Sequence, residues 1–260
     1  MHHPEGGAGL FLLFTVLPLM AAALYFGATL ADRKNGNWPW YRSVFFCLGV
    51  ALVSGAMSPP MQHWAHHDLR GHMAQHLMLG MFAPLGLVLA APGTLLLRRL
   101  PVAGARRVVA FLGTRPVRVL VHPVTAAVLD VGGMYGLYLT PLYTAAMESP
   151  ALHFLLHVHF VVAGCLFTWA VVGPDPAPHR PGWAMRLGCL FAAMAAHAVL
   201  GKIMFLRGYP SGTGADLAEI EAAAQWMYYG GDVAEVLLAC AFFAMWRGRS
   251  RGGMALFARS

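Results

Sequence analysis

The chain has 260 residues, 58% of them hydrophobic and only 11% charged, with a formal net charge of +7. A charged fraction less than half of the roughly 25% usual in soluble domains excludes an ordinary water-soluble globule. Alternating barrel-strand patterns are absent and helices satisfy their own backbone hydrogen bonds in lipid, so the expectation is an all-α polytopic membrane protein, one membrane domain over residues 1–260.

Hydropathy predicts a seven-transmembrane helix bundle, with spans at about 10–31, 43–58, 69–91, 119–139, 152–172, 183–205 and 226–246, each near the ~20 residues that a bilayer requires. The second run is short, and Trp38 and Trp40 extend it as interfacial anchors. Met1 to Gly9 has no basic n-region and the first span no small-residue cleavage site, so no cleaved signal is expected.

Fifteen of the eighteen Lys and Arg residues fall on one side of these spans: Arg33, Lys34, Arg42, Arg98, Arg99, Arg106, Arg107, Arg115, Arg118, Arg180, Arg186, Arg247, Arg249, Arg251 and Arg259. Arg70, Lys202 and Arg207 fall on the other. The positive-inside rule then places the N-terminus outside and the C-terminus inside. The basic excess is a topology signal, and no nucleic-acid partner is needed to explain it.

Between spans three and four, the Arg-rich segment Leu97 to Arg118 reads as a short helix on the inner surface, touching anionic lipid. Asp175 sits among Pro174, Pro176, Pro178 and Pro181 in a stiff inner turn, and Gly208 to Gly214 opens an outer loop. Cys47, Cys165, Cys189 and Cys240 lie on four different spans without C-x-x-C spacing, so they read as small buried hydrophobes and support neither a disulfide framework nor a thiolate copper site.

Chemistry concentrates at one depth. His72 and His76 open span three, and His153 and His157 open span five. Each pair is spaced i, i+4, which puts both imidazoles on one helix face about 6 Å apart. His197 of span six and Asp232 of span seven arrive at the same level, with Asp130 and Glu235 close by. Ionisable groups in a membrane are costly and mark a functional site by default. Two such pairs on facing helices can supply a nitrogen shell for one ion. Imidazole suits copper, zinc, iron and nickel, and thioether selects Cu(I).

The candidate metal ligands are therefore His72, His76, His153, His157, His197 and Asp232. His63, His66 and His67 in an outer loop, with Met73, form a candidate inlet; Asp130 and Glu235 are candidates to orient the imidazoles, and Glu235 with Lys202 to form an ion pair. His122 before Pro123 reads as a helix cap, and His159 points about 200° away from His157. Other readings of the same histidines stay open: a bis-His haem b electron carrier through His76 and His157, an intramembrane zinc hydrolase, or a transporter. No catalytic constellation is evident, so turnover is not expected. Oligomeric state is not legible.

The stretch Met73-Ala-Gln-His76-Leu-Met-Leu-Gly-Met-Phe-Ala-Pro84 followed by Ala91-Pro92 resembles the membrane CtaG-type cytochrome c oxidase assembly proteins. So do His122-Pro123, the run Leu142-Tyr143-Thr-Ala-Ala-Met-Glu-Ser-Pro150-Ala-Leu-His153-Phe-Leu-Leu-His157, Ala163-Gly164, Trp169, and His197-Ala-Val-Leu-Gly201, over about residues 60–246. The resemblance implies a copper-binding assembly factor, a chaperone with a periplasmic-facing site in the bacterial plasma (inner) membrane, that delivers Cu(I) to a haem-copper oxidase subunit. The histidines it carries over are His72, His76, His153, His157 and His197. Ala224-Gln225 departs from an Asp-Gln expected before the last span, with Asp232 in Gly230-Gly231-Asp232 as the substitute acid.

Overall fold

The structure, a computed structural model, describes residues 5–32 and 38–257, and side chains for 16–31 and 38–248. Of the basic residues used for orientation, Arg33, Lys34 and Arg259, with the side chains of Arg249 and Arg251, lie outside that set, as does the segment Met1 to Pro4. Among the described residues every regular element is a helix.

Among the described residues four helices are long and apolar enough to cross a bilayer: Leu69–Leu89, Pro150–Val172, Trp183–Arg207 and Leu217–Gly248. Trp40–Ala56 and Pro59–His67 qualify together as one crossing bent by 55°. The bend follows from Pro59 and Pro60, which lack the N–H needed to continue the preceding helix and are tolerated in the first turn of the next. The loop expected to carry His63, His66 and His67 is thus a helix.

The other two expected spans correspond to Glu5–Asp32, with 28 residues, and Pro123–Leu139, with 17. The latter starts later than expected because His122 caps it: the His122 side chain accepts from the Val124 N–H at 3.3 Å, and Pro123 takes the first helical position. The last helix continues from Leu217 to Phe257, well past the expected boundaries.

The Arg-rich segment is broken into Pro92–Arg99, Val102–Leu112 and Arg115–Leu120 rather than forming one helix. Pro101 and Pro116 interrupt the hydrogen-bond ladder at the two joints. Asp175 holds the first of these helices: its carboxylate accepts from the N–H of Gly93 at 3.1 Å and from both the N–H and hydroxyl of Thr94 at 2.6 Å. Nearby, Tyr25 stacks on Phe46 with ring centroids 3.9 Å apart, donates to the Ala90 carbonyl at 3.0 Å and accepts from Trp38 at 2.9 Å. All four cysteines are free; only Cys189 is buried, and Cys47 and Cys240 are exposed, so those two correct the expectation of burial.

Helix Leu69–Leu89 contains a π turn over Met78–Phe82, where the N–H of Ala83 reaches the carbonyl of Met78. Pro84 explains it. Its ring cannot donate to, and would crowd, the Gly80 carbonyl, and a local widening relieves the clash. That carbonyl turns toward Gly164 of Pro150–Val172, where any Cβ would overlap it and would also stand 2.8 Å from Pro84 Cγ. Spans three and five therefore approach backbone to backbone one turn below His76. The main core packs around this contact and includes Met73, Met134, Tyr138, Tyr143, Phe160 and Met204.

Candidate functional site

The helix start that carries the first histidine pair is fixed by two carboxylates. Asp68 accepts from the Arg70 N–H at 2.7 Å, and Glu219 reaches from the last helix to accept from the Leu69 N–H at 2.8 Å. Ser149 caps Pro150–Val172 in the same manner through the Leu152 N–H. Both imidazole-bearing helices are thus pinned at their N-terminal ends by side chains that satisfy free amides. The Arg70 guanidinium, hydrogen-bonded to both Asp68 oxygens at 3.0 Å, holds that carboxyl below its usual range.

From the surface inward the imidazoles form a file. An open pocket of about 380 Å³ is lined by His66, His67, Asp68, Met147, Glu148 and Glu219, among others. His66 is exposed, and its ring lies 5.0 Å from that of His153, which lies 4.3 Å from that of His157. His63 and His67 stack beside the pocket at 4.3 Å and are also exposed. Tyr143, buried and near Glu219, is held neutral because both burial and that charge raise its phenol.

At the inner end of the file, Gln75 locks His157. Its amide nitrogen donates to the Ala56 carbonyl at 2.7 Å, which leaves its oxygen to accept from His157 Nε2 at 3.1 Å. His157 Nε2 then carries the proton and Nδ1 keeps a free lone pair, the state in which an imidazole binds a metal.

His72, His76 and His197 are buried. His72 is enclosed edge-on by Tyr143 at 4.9 Å and Tyr138 at 6.0 Å, and neither ring nitrogen has a hydrogen bond. His76 Nε2 lies 3.0 Å from Met134 Sδ, while its Nδ1 is unpartnered. His197 is fully buried, with Nδ1 3.4 Å from Glu235 Oε1. Gly231 makes the space for it, since a Cβ there would overlap the His197 ring. The Gly230-Gly231 pair thus serves packing.

Glu235 is the acidic neighbour of His197, whereas Asp232 is half-buried one turn outward. The Lys202–Glu235 pairing is corrected: the Lys202 ammonium lies over the Tyr228 ring at 5.7 Å. Asp130, Thr168, Met134 and Glu235 line a small cavity of about 30 Å³ one turn below His76. Met73 is buried in the core. His159 turns away, as its helix position requires, to the Leu129 carbonyl at 3.1 Å.

Among the described residues no three His, Cys, Asp or Glu side chains form a ready metal-binding group. The imidazoles are strung in succession, each held by a different neighbour. The donor set still fits a soft ion. Five buried imidazole nitrogens on His72, His76 and His197 make no hydrogen bond, His197 Nδ1 having only the Glu235 carboxylate at 3.4 Å, a costly arrangement in an apolar interior unless something supplies the missing bond. Sequence reasoning missed Gln75, Met134, Tyr138 and Glu219. Gln75 carried a usable signal, because an amide inside a span must find partners.

Helices long enough to cross a bilayer, packed around histidines that run inward from one end, define a multi-pass membrane protein with a polar site open to one surface. The chain matches the cytochrome c oxidase caa3 assembly factor family over residues 23–249, and it belongs to that family. It is 38% identical over 179 residues to uncharacterized proteins of Mycobacterium bovis and Mycobacterium tuberculosis, and 37% identical over 177 residues to one of Mycobacterium leprae. Those alignments cover 65–66% of this chain but only 27% of each relative, so the chain spans about a quarter of the length of the curated relatives it matches. No solved structure matches it.

Proposed function

We propose that this protein carries copper, as Cu(I), on the outer side of a bacterial plasma membrane and hands it to a haem-copper cytochrome c oxidase subunit during assembly. The observation that carries the reading is the file His66–His153–His157, with ring separations of 5.0 and 4.3 Å, leading from an open pocket to a buried imidazole whose tautomer is set. Imidazoles at such spacing let an ion exchange ligands one at a time, which a carrier needs for both uptake and release. Asp68, Glu148 and Glu219 at the pocket draw a cation in, and Met147 adds a soft donor.

In this reading the chain crosses the membrane seven times with its N-terminus outside, as the fifteen-to-three distribution of Lys and Arg supports. His72, His76, His153, His157 and His197 bind the ion. Glu235 orients His197, and Asp232, further out on the same helix, is an outer carboxylate.

Metal analysis of the purified protein tests this, with the wild type beside His76→Ala and His157→Ala after loading with Cu(I). The wild type is expected to retain copper and both variants to lose it. Full copper content in both variants, with the helical spectrum intact, would show that these residues do not form the site.

A further inference from the structure

We infer that Met134 is a copper ligand acting with His76, and that it makes the inner end of the site selective for Cu(I) over Zn(II); the inference rests on the copper reading above. Met134 extends from Pro123–Leu139 to place Sδ 3.0 Å from Nε2 of His76 on the neighbouring span. Both residues are almost fully buried, at 2% and 4% exposure. A methionine that only fills space has no need to aim its sulfur. This one aims it at a buried imidazole whose other nitrogen, Nδ1, has no partner.

That unpartnered nitrogen matters. Neutral imidazole carries its proton on either nitrogen, so moving it from Nε2 to Nδ1 exposes a lone pair opposite the sulfur while giving up only the weak N–H···S contact. An ion then finds a nitrogen and a thioether facing each other. Zinc takes imidazole and thiolate, whereas thioether selects Cu(I).

The gap must open to admit the ion. Taking zinc's bonds to nitrogen and sulfur, about 2.0 and 2.3 Å, as the scale, the two atoms would stand roughly 3.5 Å apart at a tetrahedral angle and about 4.3 Å apart in a line. Against the 3.0 Å observed, Sδ has to retreat by about 0.5–1.3 Å. The structure holds the space for that movement. The cavity of about 30 Å³ one turn below His76 is lined by Met134 itself, with Gly80, Gly164 and Thr168. An unbranched side chain with three rotatable bonds can swing into it without disturbing the backbone.

X-ray absorption on the full-length protein loaded with Cu(I) under reducing conditions, run for wild type and Met134→Leu, tests the inference alongside Cu(I) and Zn(II) affinities by competition. Leucine conserves volume, so the fold is expected to persist. The wild type should show a sulfur scatterer near 2.3 Å that the variant lacks. Cu(I) affinity should fall by roughly tenfold or more while Zn(II) affinity stays unchanged. A wild-type shell of nitrogen and oxygen alone, or a variant that keeps its sulfur scatterer and affinity, overturns the role of Met134 and leaves the histidine site standing. A wild type that binds no Cu(I) overturns the copper reading itself, and this inference with it.

Discussion

The side-chain oxygen of Gln75 lies 3.1 Å from Nε2 of His157, and the same amide donates to the Ala56 carbonyl at 2.7 Å. Two spans and the bend before the third are thereby tied through one side chain, which also dictates which nitrogen of His157 is free. Gln75→Leu removes the acceptor and leaves His157 without a fixed tautomer. Copper affinity is expected to drop by roughly 10–100-fold, the scale seen when the partner of a ligating histidine is lost. The Ala56 carbonyl also loses its donor, a cost of about 1–3 kcal/mol. Competition titration together with thermal unfolding in detergent separates the two effects.

A second prediction concerns Gly231. Its missing side chain is occupied by the His197 ring, and an added Cβ would overlap Cε1. Gly231→Ala forces that buried imidazole out of place, with an expected cost of about 1–3 kcal/mol and weakened copper binding. If the clash is the cause, His197→Ala relieves it. The double variant should then be more stable than the sum of the single losses predicts, a coupling that a double-mutant cycle measures directly.

The helical class and most spans were legible because a hydrophobic run near bilayer length is suited to little besides crossing a membrane. The paired histidines were legible because i, i+4 spacing fixes a common face. What escaped depends on partners distant in sequence. Met134 looks like any apolar residue of a span until the fold sets it against His76, 58 residues away. Glu235 and Asp232 differ by less than one helix turn, and only the packing against Trp183–Arg207 decides which meets His197. His63, His66 and His67 read as a loop because they fall between two hydrophobic runs, whereas Pro59 and Pro60 start a helix there. The π turn left no mark beyond Pro84, whose effect depends on Gly164 being opposite.

At the C-terminal end of Pro150–Val172, Asp175 accepts from Gly93 and Thr94 across some eighty residues of chain and is 8% exposed. Asp175→Ala leaves those part-buried donors without their acceptor, an expected loss of about 1–3 kcal/mol for each group that water does not reach. Because this clamp stands at the end opposite the histidine file, copper content should be unchanged in the protein that remains folded. A lower melting temperature with wild-type metal loading is the expected pair of observations; a loss of copper at unchanged stability would contradict it.

Acid should act through Asp68. The hydrogen bonds from the Arg70 side chain, together with the Arg70 backbone N–H and charge, hold its folded-state pKa below the usual value of about 3.9. A depressed carboxylate contributes stability that is fully present above its unfolded-state value and is lost as pH falls through the folded-state value. Around neutrality the contribution is therefore flat, and it declines only below about pH 4. Asp68→Ala removes the cap, at a cost of about 1 kcal/mol at pH 7. Thermal unfolding of wild type and variant from pH 7 down to pH 3 should show the gap between them closing on the acid side. A gap that stays constant to pH 3 would mean that Asp68 stabilises the helix start without being ionised, and that the Arg70 pairing contributes nothing to it.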